Sequence, residues 1–168
     1  MMSLPISTPD GVFVAWYSER GLARLEFPSP RRTARGVQPK LLPRVRTWHR
    51  ATARAVKQVL AGRKPAALPP LDLTGGTPFQ QAVWCALLRI APGATRTYAE
   101  VARAISSPGA ARAVGQACGV NPIPLLVPCH RVLASGGKLG GFSGGLDWKR
   151  NLLAREGRPA VLRPEPGV

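Results

Sequence analysis

Acidic residues are few in this sequence. Asp and Glu number 8 in a chain of 168 residues, against 24 Lys and Arg, which gives a formal net charge of +16. Nineteen of the basic residues are arginines, and they are spread along the whole chain. This excess is typical of a protein that binds a polyanion, and its even spread favours a folded basic surface over a disordered basic arm. We therefore expect nucleic acid as the partner.

Cysteine and histidine are also scarce. The three cysteines, Cys85, Cys118 and Cys129, show no C-x-x-C spacing, and only His49 and His130 complement them. This set excludes a disulfide framework and a zinc site with four protein ligands. We expect neither a metal ion nor a cofactor.

Long apolar runs are missing as well. The N-terminus has no basic start followed by an apolar stretch of signal-peptide length, and nowhere do 18 apolar residues stand together. We therefore expect a cytoplasmic protein. The apolar content of 45% is ordinary for a globular chain, so the protein should fold around a core of its own.

The N-terminal part of the chain predicts a small sheet and one helix. Residues 12–17 and 22–27 are aromatic and β-branched runs on either side of a turn, which indicates a hairpin. Apolar residues recur at helical spacing over 45–60 and predict an amphipathic helix. Residues 28–43 are rich in proline without periodicity and predict a loop. The proline-rich segment 65–76 is the candidate domain boundary.

The following part of the chain predicts three short helices. Thr77 and Gln80 form a capping-box pattern ahead of a helix over 78–90. Thr97 and Glu100 repeat that pattern ahead of a shorter helix. After a Pro-Gly turn, an alanine-rich stretch over 110–119 predicts another helix. The last two helices have the outline of a helix-turn-helix.

The candidate chemistry lies in the string Pro128-Cys129-His130-Arg131. Neighbouring positive charge favours the thiolate, so Cys129 is the candidate nucleophile. The alternative is a buried structural cysteine, since free cysteine is among the most buried residue types. In a continuous strand the side chains of Cys129 and His130 point to opposite faces, so pairing them requires a bend, which Pro128 favours, or a bridging water. We expect Cys85 and Cys118 to be core residues.

Four linked segments of the sequence resemble one known family. They are Asn121-Pro122, Pro128-Cys129-His130-Arg131-Val132, the run Gly140-Gly141-Phe142-Ser143-Gly144-Gly145-Leu146, and Leu152-Leu153-Ala154-Arg155-Glu156-Gly157. Together, and in this order, they closely resemble the O6-alkylguanine-DNA alkyltransferases. The resemblance extends from about residue 77 to residue 157, and the N-terminal hairpin and helix are also similar to that family's more variable N-terminal domain.

The resemblance implies an α+β fold. A small N-terminal sheet-plus-helix domain over 1–74 would pack on a mostly helical C-terminal domain over 75–160, which contains the helix-turn-helix. Residues 161–168 would form a tail. Some members of the family carry a structural zinc in the N-terminal domain, but the first 75 residues here contain no cysteine and one histidine, so we expect no zinc.

The resemblance also implies a reaction. Members of this family move the alkyl group from O6 of a damaged guanine onto their own cysteine, which would be Cys129, and are consumed in doing so. The histidine after the cysteine acts through a water as base and is steadied by a glutamate; these positions match His130 and Glu156. The alternative for His130 is a structural histidine. The alternative for Glu156 is a charge on a solvated helix.

Three further positions match functional residues of the family. Arg112 matches the residue that fills the place of the flipped nucleotide, although a plain phosphate contact is the alternative. Tyr98 matches the tyrosine that pushes the neighbouring phosphate and contacts the extruded base; alone it would read as a half-buried aromatic. Asn121 matches the hinge asparagine that ties the DNA-reading helix to the cysteine loop, and it is counted with the catalytic residues; alone, Asn-Pro would be only a turn signal. Arg131 is counted with the DNA- and substrate-binding residues.

The glycine-rich loop completes the expected lesion pocket through Phe142, Ser143 and Gly144, whose backbone N–H groups can bind the negative charge that develops on guanine. Phe142 departs from the family, because several relatives have a tyrosine there whose hydroxyl donates to O6. The resemblance thus implies a monomeric, single-turnover repair methyltransferase that flips nucleotides of duplex DNA through the minor groove. The alternatives are a lesion-flagging alkyltransferase-like protein, a helix-turn-helix regulator and a cysteine hydrolase. The first is disfavoured because those proteins replace the cysteine.

Overall fold

The structure is a computed structural model that describes residues 1–29 and 41–158. Five strands and five helices follow one another along these residues. They are β1 Met2–Thr8, β2 Gly11–Tyr17, β3 Leu22–Glu26, α1 Pro43–Leu60, α2 Pro78–Leu87, β4 Arg96–Thr97, α3 Tyr98–Ala104, α4 Ala111–Gly119, β5 Val132–Leu133 and α5 Leu146–Arg155. Most of the predicted loop over 28–43 and the predicted tail lie outside the described residues. The predicted α+β class is confirmed.

The N-terminal strands form an antiparallel sheet in the order β1-β2-β3. The predicted hairpin is β2 and β3, and it is confirmed with boundaries that differ by one residue. Strand β1 was missing from the sequence-based prediction. It contains Pro5, which disqualifies a central strand but is tolerated at the edge of a sheet, where β1 lies. Leu4 and Ile6 alternate inward from it.

Helix α1 confirms the predicted amphipathic helix. Its buried positions include Val45, Val56 and Val59, which recur at helical spacing and face the sheet. The Tyr17 hydroxyl of β2 donates to Oγ1 of Thr52 at 2.9 Å, which satisfies two polar groups inside this apolar contact. The exposed face of α1 is basic.

The proline-rich segment 65–76 is tied to the sheet. The N–H of Leu22 donates to the carbonyl of Pro70 at 2.8 Å, and the N–H of Asp72 donates to the carbonyl of Leu22 at 2.7 Å. The hydrophobic core continues from the sheet and α1 into the C-terminal helices. The core is therefore continuous across the division predicted at residue 74.

Both predicted capping boxes are present. Thr77 and Gln80 exchange side-chain and backbone hydrogen bonds at the start of α2, and Thr97 and Glu100 do so at the start of α3. Helix α2 ends at Leu87, three residues before the predicted end. A turn joins α3 to α4, and the two helices pack against each other as the predicted helix pair.

Within the described residues, no helix is long and apolar enough to cross a membrane.

Candidate active site

Cys129 lies at the start of a single 3-10 turn, Cys129–Arg131, that follows Pro128. Its N–H donates to the carbonyl of Val127 at 2.8 Å. The chain therefore bends at the cysteine, as Pro128 suggests, instead of continuing as a strand. Both residues of the bend are buried, Cys129 at 3% and His130 at 0% exposed.

Asn121 fixes the cysteine from the C-terminal end of α4. Its Nδ2 donates to the carbonyl of Val127 at 2.9 Å and to Sγ of Cys129 at 3.2 Å. Its Oδ1 accepts from the N–H of Ile123 at 3.0 Å. The Asn121 side chain thus joins the end of α4 to the cysteine turn and donates directly to the sulfur.

His130 and Glu156 form a buried pair. Nε2 of His130 lies 3.0 Å from Oε1 of Glu156, and the two side chains are 0% and 1% exposed. Burial lowers the pKa of His130, which favours the neutral ring. Because the carboxylate can only accept, Nε2 of the neutral ring carries the proton and Nδ1 has the free lone pair. Nδ1 is buried and has no hydrogen-bond partner among the residues that the structure describes.

Glu156 is held as a carboxylate by several donors. Burial by itself would raise its pKa, but the hydrogen bonds from His130 and Arg131 outweigh burial and lower the pKa to about 2. The N–H of Gly93 adds a further hydrogen bond at 3.2 Å. The sequence alternative of a solvated charge on a helix is therefore wrong for Glu156, which ends α5 with its carboxylate turned into the protein.

Arg131 points inward, which differs from the expected contact with DNA or substrate. Its guanidinium donates to both carboxylate oxygens of Glu156 and to the carbonyl of Ile90. The residue is 5% exposed. Its charge is paired with Glu156, so it supports the His130–Glu156 pair from inside the protein.

Lys149 is a site residue that the sequence reasoning missed. It lies on α5, is 0% exposed, and its Nζ donates to the carbonyls of Val132 at 2.7 Å and Gly141 at 3.2 Å. Burial lowers its pKa to about 8, against the attraction of the nearby thiols. The only available signal was the helical periodicity around α5, which places residue 149 on the same face as the buried Leu152 and Leu153.

The charge environment of Cys129 differs from the one expected from its sequence neighbours. Burial raises the pKa of the thiol, while the hydrogen bond from Asn121 and the charge of Lys149 act to lower it. The adjacent arginine does not lower this pKa, because Glu156 neutralises it. The cation that favours a thiolate here comes from α5, twenty residues along the chain.

Tyr98 lies beside this group, on the first turn of α3. Burial raises its pKa to about 12, and the neighbouring thiols of Cys118 and Cys129 add to the increase. The glycine-rich loop passes against its ring: a Cβ at Gly140, where φ is +67°, would stand 2.8 Å from the Tyr98 hydroxyl. Gly140 therefore allows the loop to approach Tyr98 closely.

The other two cysteines have different environments. Cys118 on α4 is buried, as expected, and its pKa is raised to about 12, first by burial and then by the neighbouring Cys129. Cys85 is exposed, so the expectation of a core position is wrong for it. Helix α2 buries Val83, Trp84 and Leu87, and residue 85 falls on the other side.

Phe142 extends from the glycine-rich loop toward His130. Its ring centroid lies 5.7 Å from that of Phe27 and 6.5 Å from that of His130, both in edge contacts. Gly144 packs on the same Phe27 ring, where a Cβ would approach within 2.7 Å. The N-terminal sheet thus supports the loop through Phe27.

A cavity of about 600 Å³ opens next to this loop. Asn121, Ser143 and Gly144 line it together with residues of β3 and the chain after it. Cys129 is not among the lining residues. Of the residues expected in the lesion pocket, Ser143 and Gly144 therefore line this cavity, whereas Tyr98 and Phe142 do not.

Arg112 is exposed on the first turn of α4. Arg96 and Arg103, on β4 and α3, are exposed as well. Strand β4 and the helix pair therefore present guanidinium groups to solvent, whereas Cys118 near the other end of α4 is buried.

The comparisons with known proteins agree with this site. Residues 78–158 match the family model described as 6-O-methylguanine DNA methyltransferase, DNA binding domain. A methylated-DNA–protein-cysteine methyltransferase of Methanosarcina barkeri is 40% identical over 154 residues, which cover 90% of this chain and 94% of that relative. This chain belongs to the O6-methylguanine DNA methyltransferase family. The resemblance noted in the sequence is confirmed.

Other family members are similar over shorter or longer segments. The enzyme of Mycolicibacterium paratuberculosis is 53% identical over 118 residues, or 67% of this chain and 71% of that relative. A Mycobacterium tuberculosis relative is 59% identical over 86 residues, about half of each chain. The crystal structure of Mycobacterium tuberculosis OGT in complex with DNA superposes with a TM-score of 0.70 at 40% identity, covering 94% of this chain and 95% of that one.

Proposed function

We propose that this protein repairs DNA by moving the alkyl group from O6 of a damaged guanine to Sγ of Cys129. The observation that carries the proposal is the arrangement around the sulfur: Asn121 donates to it and Lys149 places a positive charge near it. The next residue in the same turn, His130, forms the buried pair with Glu156. Membership of the family and the names of its relatives support the same reaction.

The transfer forms a bond between sulfur and the alkyl carbon and breaks the bond between that carbon and O6. The electron pair of the broken bond stays on guanine, which takes up a proton as it is restored. Because a thioether has no group that water readily displaces, the protein acts once and is consumed. A thiolate is the strong nucleophile that this displacement requires.

The proton of the Cys129 thiol passes to Nδ1 of His130 through a water molecule. Nδ1 suits this role because the bond from Nε2 to Glu156 leaves its lone pair free. Glu156 stabilises the imidazolium that results, and Arg131 holds the carboxylate in place. Lys149 stabilises the thiolate before it attacks.

The damaged nucleotide leaves the DNA stack to reach the sulfur, since a base inside a duplex cannot contact a buried atom. Arg112, exposed on α4, fills the vacated position, and Tyr98 contacts the extruded base. Because Cys129 is 3% exposed, the residues that cover its sulfur move as the base enters. Ser143 and Gly144 then supply donors to the guanine, since Phe142 has no hydroxyl.

Mass spectrometry tests the transfer. After incubation with duplex DNA that contains O6-methylguanine, the peptide with Cys129 should gain one methyl group per protein, and the lesion should disappear from the DNA in equal amount. An unmodified Cys129 beside intact lesions would contradict the proposal. Repeated turnover would contradict the single-use mechanism.

Two variants separate chemistry from nucleotide flipping. Cys129→Ala should abolish transfer while it retains binding to lesion DNA. Arg112→Ala should slow the repair of duplex DNA much more than transfer from the free base O6-methylguanine, which needs no flipping. Equal losses on both substrates would remove Arg112 from the flipping role.

A further inference from the structure

The exposed face of α1 carries positive charge and no negative charge. Helix α1 contains five Lys or Arg and no Asp or Glu. Four of the basic residues lie on one side of the helix, at spacings of three or four residues, and all four are exposed. They are Arg46, Arg50, Arg54 and Lys57, which we call the α1 stripe.

The α1 stripe has no counterpart within the described residues. None of its four members forms a salt bridge there. The acidic side chains that are paired lie elsewhere: Asp10 binds Arg155, Asp147 binds Arg150, and Glu156 binds Arg131. Four like charges along one helix face repel one another and destabilise it. A helix that presents them without acidic partners is suited to a negatively charged ligand.

Much of the excess charge lies outside the segment that the family model covers. Residues 1–77 hold thirteen Lys and Arg against four Asp and Glu, a net charge of +9. Residues 78–158, which match the DNA-binding model, hold ten against three, a net charge of +7. The helix-turn-helix therefore does not account for most of the positive charge of the chain.

The dimensions of the α1 stripe fit a nucleic-acid backbone. From residue 46 to residue 57 it extends about 16 Å at a rise of about 1.5 Å per residue. Along a duplex, one strand presents a phosphate about every 3.4 Å of axis. The stripe therefore faces about four or five phosphates of a strand, which matches its four cations. Helix α1 packs on β1, β2 and α5, so the stripe belongs to a different surface element from α3 and α4.

We propose that the α1 stripe is a second phosphate-binding surface for duplex DNA, separate from the helix-turn-helix. It binds the backbone without reading sequence or damage. Its contribution is affinity for undamaged duplex, which holds the protein on DNA. The proposal concerns binding alone and does not depend on alkyl transfer.

The salt dependence of binding to an undamaged duplex tests the α1 stripe. The triple variant Arg46→Gln, Arg50→Gln, Arg54→Gln removes three charges and keeps good helix formers. The control variant Arg20→Gln, Arg89→Gln, Arg158→Gln removes three exposed charges that lie outside α1, α3 and α4. Fluorescence anisotropy with a labelled 24-base-pair duplex gives the binding constant for each protein across a series of salt concentrations.

Each phosphate contact contributes about −0.9 to the slope of log binding constant against log salt. The stripe variant should therefore bind with a slope less steep by about 2.7 than the wild type and should bind more weakly at low salt. The control should change the slope by less than 1. If the stripe variant keeps the wild-type slope, or if the control loses as much, the α1 stripe does not contact DNA and serves another acidic partner.

Transfer from free O6-methylguanine to Cys129 is measured on the same three proteins. The rates should be equal, since this substrate has no phosphate, and equal rates also establish that the variants are folded. If no protein transfers the methyl group while the slopes differ as expected, the proposed function fails and the α1 stripe stands. If all transfer and the slopes are the same, the α1 stripe fails alone.

Discussion

At Cys129, burial and local charge act on the thiol in opposite directions. Burial raises its pKa and is the larger influence, whereas Asn121 and Lys149 act to lower it. Burial keeps water from the sulfur, and the donor and the cation recover part of the thiolate that burial removes. The ammonium of Lys149 is itself partly destabilised, with a pKa of about 8.

Lys149→Met should slow alkyl transfer by about tenfold for each unit by which the pKa of Cys129 rises. The variant removes the cation that favours the thiolate, so the profile of the single-turnover rate against pH should move to higher pH. Arg150→Met, one residue along α5, removes an arginine that pairs with Asp147 and should keep the wild-type profile. A Lys149 variant with an unshifted profile would mean that this side chain only supports the fold.

At the scale of the elements, local signals predicted the helices well. Capping boxes act over three residues, so α2 and α3 could be read directly from Thr77 and Thr97. The edge strand β1 could not, because Pro5 is incompatible with a central strand and the sequence does not say which strand is the edge.

Contacts between distant elements were the other part that the sequence did not contain. The motif identified Cys129 and His130, but the pairing of Arg131 with Glu156 and the position of Lys149 depend on how α5 packs against the cysteine turn. The sequence suggested Arg131, a chain neighbour, as the cation that stabilises the thiolate, but Arg131 pairs with Glu156. The true one is supplied by tertiary packing.

The capping box of α3 provides a test at this scale. Thr97→Ala removes the side-chain oxygen that accepts from the N–H of Glu100 and should lower the free energy of unfolding by about 1 kcal/mol. Urea denaturation measures this change. Thr97→Ser keeps an accepting hydroxyl and should restore most of the stability. If alanine and serine have equal effects, the cap contributes little to this helix.

In the whole molecule, contacts join the N-terminal sheet to the C-terminal half of the chain. Arg155 of α5 binds Asp10 in the turn between β1 and β2, with Nη2 and Oδ1 at 2.6 Å. The N–H of Leu25 donates to the carbonyl of Pro122 at 2.9 Å. Phe27 packs on Trp148 with ring centroids 4.9 Å apart. The sheet therefore supports the glycine-rich loop, and damage to the sheet should affect the site.

Global stability should fall in acid. The pKa of Glu156 is lowered from 4.5 to about 2, so its contribution is complete above pH 4.5 and is lost as the pH falls toward 2. The pKa of His130 is lowered from 6.5 by burial, so the unfolded chain gains a proton below pH 6.5 that the folded chain does not. Both groups favour unfolding as the pH falls.

Urea denaturation between about pH 7 and pH 3 checks this expectation. The loss attributable to Glu156 is at most about 3 kcal/mol, from the size of its pKa shift. His130→Gln should flatten the curve between about pH 6.5 and pH 5 and leave the steeper fall at lower pH. If the stability of the wild type rises as the pH falls from 6.5 to 5, His130 is not the group responsible.

The exposure of Cys85 has a practical consequence for laboratory work. Cys118 and Cys129 are both buried, so a thiol reagent added to the native protein will mark α2 first. A titration of accessible thiols will therefore count Cys85, and it will still give a signal when Cys129 is fully alkylated and the protein is inactive. In the variant Cys85→Ser, such a reagent would instead measure the exposure of Cys129 when the pocket opens.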